Sequence, residues 1–193
     1  MLKLSQKKRK ALLALAVAAA VLGANNAFAA SVEHDKAIYE SNNYGSSMRT
    51  YWQKQGVYDA DKHAYTFNED ISLKPKASEQ DLNYWTPIFG ALYVAGYNPV
   101  TIDMQGHRLD VAQNVDQVKV GSVNNIKAVS ANGIHVTSSS LTINNVKGMN
   151  ISAGGSFLSV GKVRGIYVAG TNQEGAYGDG KGLASLTINN ADG

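Results

Sequence analysis

Short apolar couplets recur from residue 100 to the last residue, 193, at a nearly constant interval. Each couplet has the form apolar-x-apolar, and its two side chains fall on one face of a strand because strand side chains alternate. Successive couplets begin seven to nine residues apart, except for a last step of 20 residues. They are Val100/Ile102, Leu109/Val111, Val118/Val120, Ile126/Ala128, Ile134/Val136, Leu141/Ile143, Met149/Ile151, Leu158/Val160, Ile166/Val168 and Leu186/Ile188. This spacing predicts an all-β chain of short strands.

The residues between the couplets favour a parallel arrangement of these strands. They are mostly Gly, Asn, Ser and Lys, which are typical of turns. Three steps of about eight residues make about two dozen residues, the length of one coil of a parallel β-solenoid. In such a fold each strand stacks on the equivalent strand of the next coil. We therefore predict a parallel β-helix with three strands per coil.

An antiparallel sandwich is the alternative, because it also places strands every 8–12 residues. It needs hairpin turns, and the dipeptides Asn-Gly and Asp-Gly begin only at Asn132, Asp179 and Asp192. Near-repetition favours the solenoid, since the hexapeptide 140–145 recurs at 185–190. A Gly-apolar-x-apolar pattern is likewise shared by 133–136, 148–151 and 165–168.

Alternation also predicts which side chains face the core. The inward set is Ile134, Val136, Leu141, Ile143, Ile166 and Val168, and the outward set is His135, Thr142 and Tyr167. The Asn pairs at 124–125, 144–145 and 189–190 follow or join strands, where stacked amides form ladders. The sequence leaves open which column of the solenoid each pair joins.

Residues 1–29 have the features of a secretory signal peptide. Five basic residues within 1–10 precede the apolar run 11–22, and Ala27-Phe28-Ala29 provides a small-x-small cleavage site. Cleavage after Ala29 leaves 13 Lys and Arg against 15 Asp and Glu, so the remaining chain carries a formal charge of about −2. That balance gives no basic footprint for nucleic acid. The chain also has no cysteine, which excludes disulfides and thiol chemistry.

Residues 30–97 form an aromatic-rich segment with eight of the ten tyrosines and both tryptophans, Trp52 and Trp85. A solenoid needs an atypical first module to cover its open end. We predict a helix near 47–54 and one or two strands within 64–73. The aromatic side chains then either close the first coil as a cap or form a platform on which Trp52, Trp85 and neighbouring tyrosines stack on sugars.

No catalytic, cofactor-binding or metal-binding residue is predicted. Residues 175–181 fit a phosphate-loop pattern up to Gly182, where the magnesium-binding hydroxyl is missing, and a strand rather than a helix follows. Asp103, His107 and Asp110 lie close in sequence, but Asp103 and His107 are expected to flank a turn at Gln105-Gly106. Histidines at metal-ligand spacing do not occur.

With these features the chain resembles the passenger domain of a bacterial autotransporter, a type V secretion protein with a pectate-lyase-like, right-handed β-helix. Residues 98–107 look like an opening coil and 141–145 like a later one, and the resemblance covers roughly 60–193. It implies a signal peptide at 1–29, an N-terminal cap at 30–97 and solenoid repeats at 98–193, cut short at the C-terminus. Two-partner secreted haemagglutinins match less well, because only Asn98-Pro99 of their Asn-Pro-Asn motif is found.

The resemblance implies a secreted, surface-exposed protein with a structural or adhesive role and no enzyme activity. Its expected partners are the general secretion machinery, a C-terminal outer-membrane β-barrel in the full-length protein, and glycans or proteins on host or neighbouring cells. The expected location is the cell surface, the outer membrane or the medium. The alternatives are a β-helix polysaccharide lyase or hydrolase, which needs acidic residues and Arg/Lys, or a carboxylate pair, converging on one face, and a carbohydrate-binding surface module.

Overall fold

The structure is a computed structural model that describes residues 30–41, 46–76, 88–96, 98–115, 119–120, 123–124, 128–155, 160–170 and 183–189. Chain packing separates 1–30 from 31–193, and every element below belongs to the second unit. The predicted signal peptide and the loop at 171–182 lie outside the described residues. No helix in the described ranges has the length and apolar character to cross a bilayer.

The described chain is built mainly of short strands, with one helix near its start. The elements are β1 Val32–His34, β2 Ile38–Ser41, α1 Ser46–Lys54, β3 Tyr58–Asp59, β4 Ala64–Thr66, β5 Ile71–Leu73, β6 Ile88–Ala95, β7 Val100–Asp103, β8 Arg108–Val115, β9 Lys119–Val120, β10 Val123–Asn124, β11 Ala128–Thr137, β12 Ser140–Asn144, β13 Gly148–Gly155, β14 Val160–Ala169 and β15 Ser185–Ile188. The all-β class is confirmed, as are the helix near 47–54 and two strands within 64–73.

Three sheets contain all of these strands except β9 and β10, and the chain visits them in a fixed rotation. Sheet A has the order β1-β5-β8-β13, sheet B the order β2-β6-β11-β14, and sheet C the order β3-β4-β7-β12-β15. Pairing is parallel throughout them, except between β3 and β4. From β4 to β8 the chain visits sheets C, A, B, C and A, and from β11 to β15 it visits B, C, A, B and C. The parallel registers exclude the antiparallel sandwich.

The predicted strand spacing of about eight residues, with two dozen residues per coil, is wrong. Ile134 pairs with Ile166, 32 residues later, and Leu141 pairs with Leu186, 45 residues later. The main cause is strand length, since β6, β8, β11, β13 and β14 run for 8–10 residues. In addition, β9 and β10 pair with each other and lie outside sheets A, B and C.

The hydrophobic core lies between the three sheets. Ile38, Leu92 and Ile134 contribute from sheet B, Leu109 from sheet A and Leu141 from sheet C, and none has any exposed surface. Each pairs in register with an apolar side chain of a neighbouring strand, so the apolar residues stack in columns. Burying one large aliphatic side chain stabilises by about 1.5–3 kcal/mol, and these columns therefore hold the sheets together.

Helix α1 packs on the edge strands β2 and β3. Its Trp52 is fully buried in the core, and the indole Nε1 donates a hydrogen bond of 2.8 Å to the Ala37 carbonyl. The ring meets Phe67 edge to face at 5.6 Å. These contacts place Trp52 and Phe67 inside the fold. A Trp52 sugar platform is therefore wrong, while Trp85 lies outside the described residues.

The identical segments 140–143 and 185–188 lie side by side, which confirms that they are equivalent strands. Leu141 pairs with Leu186, and the amide of Asn189 donates to Asn144 Oδ1 at 2.8 Å. The equivalent position on β7 is Asp103, which assigns this Asn column to sheet C. The repeat at 148–151, by contrast, pairs with 108–111 in sheet A and does not join the other two Gly-apolar-x-apolar segments.

The last strands of sheets B and C in the described chain, β14 and β15, are more exposed to solvent than the sequence predicts. Ile166 and Val168 were expected in the core, but their exposed fractions are 46% and 39%, and that of Ile188 is 37%. Ile166 and Val168 occupy the same column positions as the buried Ile134 and Val136. The predicted column positions of Ile166 and Val168 are thus right, but their predicted burial is wrong. They are exposed because β14 is the last strand of sheet B in its described part.

We therefore expect β15 to exchange its amide hydrogens faster than β11, because an edge strand opens by local fluctuation. Native-state hydrogen exchange should show weaker protection at 185–188 than at 134–137. Equal protection of the two segments in a monomer would contradict this expectation.

Candidate functional site

A cavity of about 440 Å³ opens beside the first strand of sheet B. Its walls come from β2, α1, the β3–β4 turn, the end of β6 and the start of β7. The polar side chains that line it include Glu40, Arg49, Gln53, Tyr58, His63 and Asn98. The sequence predicted no site here, and this is the candidate functional site of the described chain.

Glu40 is a carboxylate in a position that alternation assigns to the core. It follows Ile38 by two residues on β2, and its register partner on β6 is the buried Val94. Only 7% of its side chain is exposed. Burying a carboxylate costs much free energy unless hydrogen bonds and charges compensate it. The residues around Glu40 must therefore supply that compensation.

Three side chains surround the Glu40 carboxylate. The Tyr65 hydroxyl donates a hydrogen bond of 2.7 Å to Oε1. On the other oxygen, Oε2, Arg49 Nη1 lies at 3.6 Å and His63 Nδ1 at 3.8 Å. Arg49 Nη1 also donates to the Ser41 carbonyl at 3.1 Å, which ties α1 to β2. The site thus holds one carboxylate and one guanidinium as a close, partly buried pair.

Two tyrosines complete the cluster and remain protonated far above neutral pH. Burial raises the pKa of Tyr58 and of Tyr65, and the negative charge of Glu40 and a hydrogen bond to it raise each pKa further. The Tyr58 hydroxyl also lies 3.4 Å from His63 Nδ1, and the two tyrosine rings are 4.6 Å apart. Both hydroxyls therefore stay neutral and help to compensate the buried Glu40 carboxylate.

Raised tyrosine pKa values predict a loss of stability at alkaline pH. Their contribution is fully present below the unfolded pKa of about 10, and it is lost as the pH rises through the folded value. The free energy of unfolding should therefore fall above about pH 10, and fall less steeply in Tyr65→Phe. Urea unfolding from pH 8 to pH 12 measures this slope, with the half-buried Tyr167→Phe as control. Equal slopes in all three proteins would contradict the assignment.

A second polar cluster lies on the opposite face of sheet B, where aromatic rings form a column. Tyr39 stacks on Tyr93 at 4.4 Å, Tyr93 on His135 at 4.5 Å, and His135 meets Tyr167 at 4.9 Å. Arg164 Cζ lies 4.4 Å from the centre of the Tyr167 ring. Burial raises the pKa of Tyr93 to about 12. This column positions side chains that the sequence assigned to the surface.

His135 was expected to be exposed, but only 2% of it is. Its side chain points away from the core, as alternation predicts. The rings of Tyr93 and Tyr167, its neighbours in the aromatic column, cover it. Asn132 Nδ2 lies 3.1 Å from Nδ1 and the Thr137 hydroxyl lies 2.6 Å from Nε2. Asn132 Nδ2 also donates to the Phe89 carbonyl, which fixes the amide orientation. Nδ1 is therefore the acceptor, and a neutral ring carries its proton on Nε2.

The Asp103, His107 and Asp110 group does not converge. Asp103 Oδ1 accepts from the Gln105 amide at 3.0 Å, while His107 Nδ1 lies 3.3 Å from Asp70 Oδ1. Asp110 Oδ1 accepts from the Asn150 amide at 2.8 Å. The expected turn is confirmed, with positive φ at Gln105 and at the next residue, a conformation that suits glycine there. Among the described residues no three His, Cys, Asp or Glu side chains are grouped to hold a metal.

Comparison of the chain with protein-family models, with curated proteins and with solved structures found no match.

Proposed function

We propose that the chain is an exported, surface-exposed β-solenoid of the autotransporter-passenger type with an adhesive role. The fixed rotation of parallel strands through sheets A, B and C carries this proposal. In a right-handed solenoid each passage through the three sheets is one coil, and α1 caps the first coil by packing on β2 and β3. Such a fold offers long repetitive faces for contact with other surfaces.

The outward face of sheet C carries two columns of polar side chains. Thr101, Thr142 and Thr187 are in register on successive strands, and all three are at least partly exposed. Asp103, Asn144 and Asn189 continue the same strands and form a second polar column. Repeated polar groups about 4.8 Å apart suit a repetitive partner such as a cell-surface glycan.

The threonine column also gives a direct test of the solenoid. Neighbouring parallel strands lie about 4.8 Å apart, within the Cα separation of about 4.4–6.8 Å that a disulfide spans. Because the chain has no cysteine, the double variants T101C/T142C and T142C/T187C should each form one disulfide on oxidation. T101C/T187C is the control, since its two strands are about 9.6 Å apart and should not cross-link.

Export and adhesion are tested together in a Gram-negative host. The chain with its first 29 residues should be recovered outside the cytoplasm with Ala30 as its first residue. Labelled purified chain should then bind cultured cells saturably. A product with Met1 retained, or no saturable binding by the unmodified chain when each of the two double variants forms its cross-link, would refute the exported adhesive role.

A polysaccharide lyase or hydrolase is the second candidate, because Glu40 and Arg49 lie 3.6 Å apart in a cavity. Such enzymes use either acidic residues with Arg or Lys, or a carboxylate pair, converging on one face, and the cavity lining offers the first combination. Incubation with acidic and neutral polysaccharides, with and without calcium, distinguishes the two proposals. Release of shortened products, abolished in Glu40→Gln, would establish the enzyme.

A further inference from the structure

We infer that the cavity beside Glu40 binds a neutral sugar, one or two units long, at the end or branch of an extracellular glycan. The inference rests on the proposed adhesive function, for which it names the ligand chemistry. The cavity volume of about 440 Å³ lies within the range of about 300–1,000 Å³ that is typical of small-molecule sites.

Charge is the first reason for a neutral ligand. The Glu40 carboxylate and the Arg49 guanidinium lie 3.6 Å apart, so each offsets the other's charge. Glu40 also accepts from Tyr65, and Arg49 also donates to the Ser41 carbonyl. A cationic or an anionic ligand would have to compete with these contacts. A neutral ligand gains hydrogen bonds without separating the pair.

Hydrogen-bonding capacity is the second reason. Gln53 and Asn98 carry amides that both donate and accept, and Thr50 carries a hydroxyl with the same capacity. Glu40 adds an acceptor at the buried part of the wall, and Arg49 adds donors. A sugar hydroxyl also donates and accepts, so successive hydroxyls of one ring can pair with these donors and acceptors. Gln53 and Asn98 are exposed, which places them where a ligand can enter.

Apolar surface is the third reason. Tyr58, Ala60, Ala95 and Val100 line the cavity together with the polar groups. A sugar ring has an apolar face formed by its C–H bonds, and the combination of apolar wall and placed polar groups is typical of ligand sites. Trp52 is not needed for this contact, since it is buried on the core side.

Isothermal titration of the exported chain tests the inference directly. The probes are glucose, galactose and N-acetylglucosamine, their disaccharides cellobiose, lactose and chitobiose, and glucuronic acid as the anionic control. At least one neutral sugar should bind saturably and more tightly than glucuronic acid. Absence of binding by every neutral sugar, or binding of glucuronic acid alone, would overturn the inference.

Variants locate the binding. Gln53→Ala should weaken it about tenfold, the value of one lost hydrogen bond, and Glu40→Gln by roughly 10–100-fold. Gln55→Ala is the matched control, because Gln55 is exposed one residue after α1 and does not line the cavity. Ala60→Trp should block binding by filling the cavity without touching the core. Unchanged binding in both Gln53→Ala and Ala60→Trp would place the sugar elsewhere and refute the proposed site.

The same variants separate this inference from the proposed function. If Ala60→Trp still adheres to cells while the wild type binds no sugar, the cavity inference fails and the adhesive role stands. If neither protein adheres, although T101C/T142C cross-links, the adhesive role fails as well. Thermal unfolding of each variant checks that a loss of binding is not a loss of fold.

Discussion

Replacing Ile143 by alanine is expected to lower the free energy of unfolding by about 2–5 kcal/mol. Ile143 has no exposed surface and stands in register between Ile102 and Ile188 in sheet C. Strand β7 is also held by its parallel pairing with β4, so this side of the sheet cannot collapse into the space that the lost methyl groups leave. The cost therefore includes the transfer of the side chain and the cavity left behind.

Ile188→Ala and Thr142→Ala are the matched controls for this variant. Ile188 occupies the same column as Ile143, but 37% of it is exposed, so its truncation should cost much less. Thr142 is the outward neighbour of Ile143 and should change stability by no more than about 0.5 kcal/mol. Urea unfolding of the three variants gives the comparison. Equal costs at Ile143 and Thr142 would mean that the strand register is wrong.

Replacing Gly133 by alanine is expected to destabilise by about 1–3 kcal/mol through overpacking. A Cβ at this position would lie 2.7 Å from the Gly165 carbonyl oxygen, 2.7 Å from Ile151 Cγ2 and 2.9 Å from the Ser152 carbonyl oxygen. Two of these atoms belong to the backbones of β14 and β13. They can move only if the paired strands move, so the added methyl group strains the junction of sheets A and B.

Gly165→Ala tests the same substitution without the crowding. Gly165 lies on β14, beside Gly133 on β11. The atom nearest to a Cβ added at Gly165 would be Ile151 Cγ2, at 3.9 Å. Alanine there should be neutral or stabilise by about 0.4–1 kcal/mol, because it reduces the freedom of the unfolded chain. In thermal unfolding the midpoint temperature of Gly165→Ala should therefore equal or exceed that of the wild type, and the midpoint of Gly133→Ala should lie below it. The reverse order would contradict the close approach of these strands.

The alternation of the couplets predicted the facing of side chains correctly in the strands that the core covers. Ile134 and Val136 share the core face, and His135 lies on the other. Facing depends only on the two-residue period of a strand, which is local. Burial depends on what covers a face. Ile166 is therefore exposed although it repeats Ile134, and His135 is buried although it faces outward.

The coil length and the cavity depended on contacts far apart in sequence. A regular eight-residue step was the simplest interpretation, but the chain places 32–45 residues between some partners and inserts the β9–β10 pair. For the cavity, the sequence offered one signal, an acidic residue at an inward position of β2. It could not show that Tyr65, Arg49 and His63 meet Glu40, because they come from three different segments.

The sequence by itself determined the all-β class, the helix near 47–54, the equivalence of the two repeated segments and the face of the couplets that the core covers. These follow from periods, turn residues and repeats within a few residues of chain. The tertiary structure decided the order of strands in the three sheets, the covering of His135 and the compensation of Glu40. These follow from which segments pack together, since burial and electrostatic stabilisation arise only where separate strands meet.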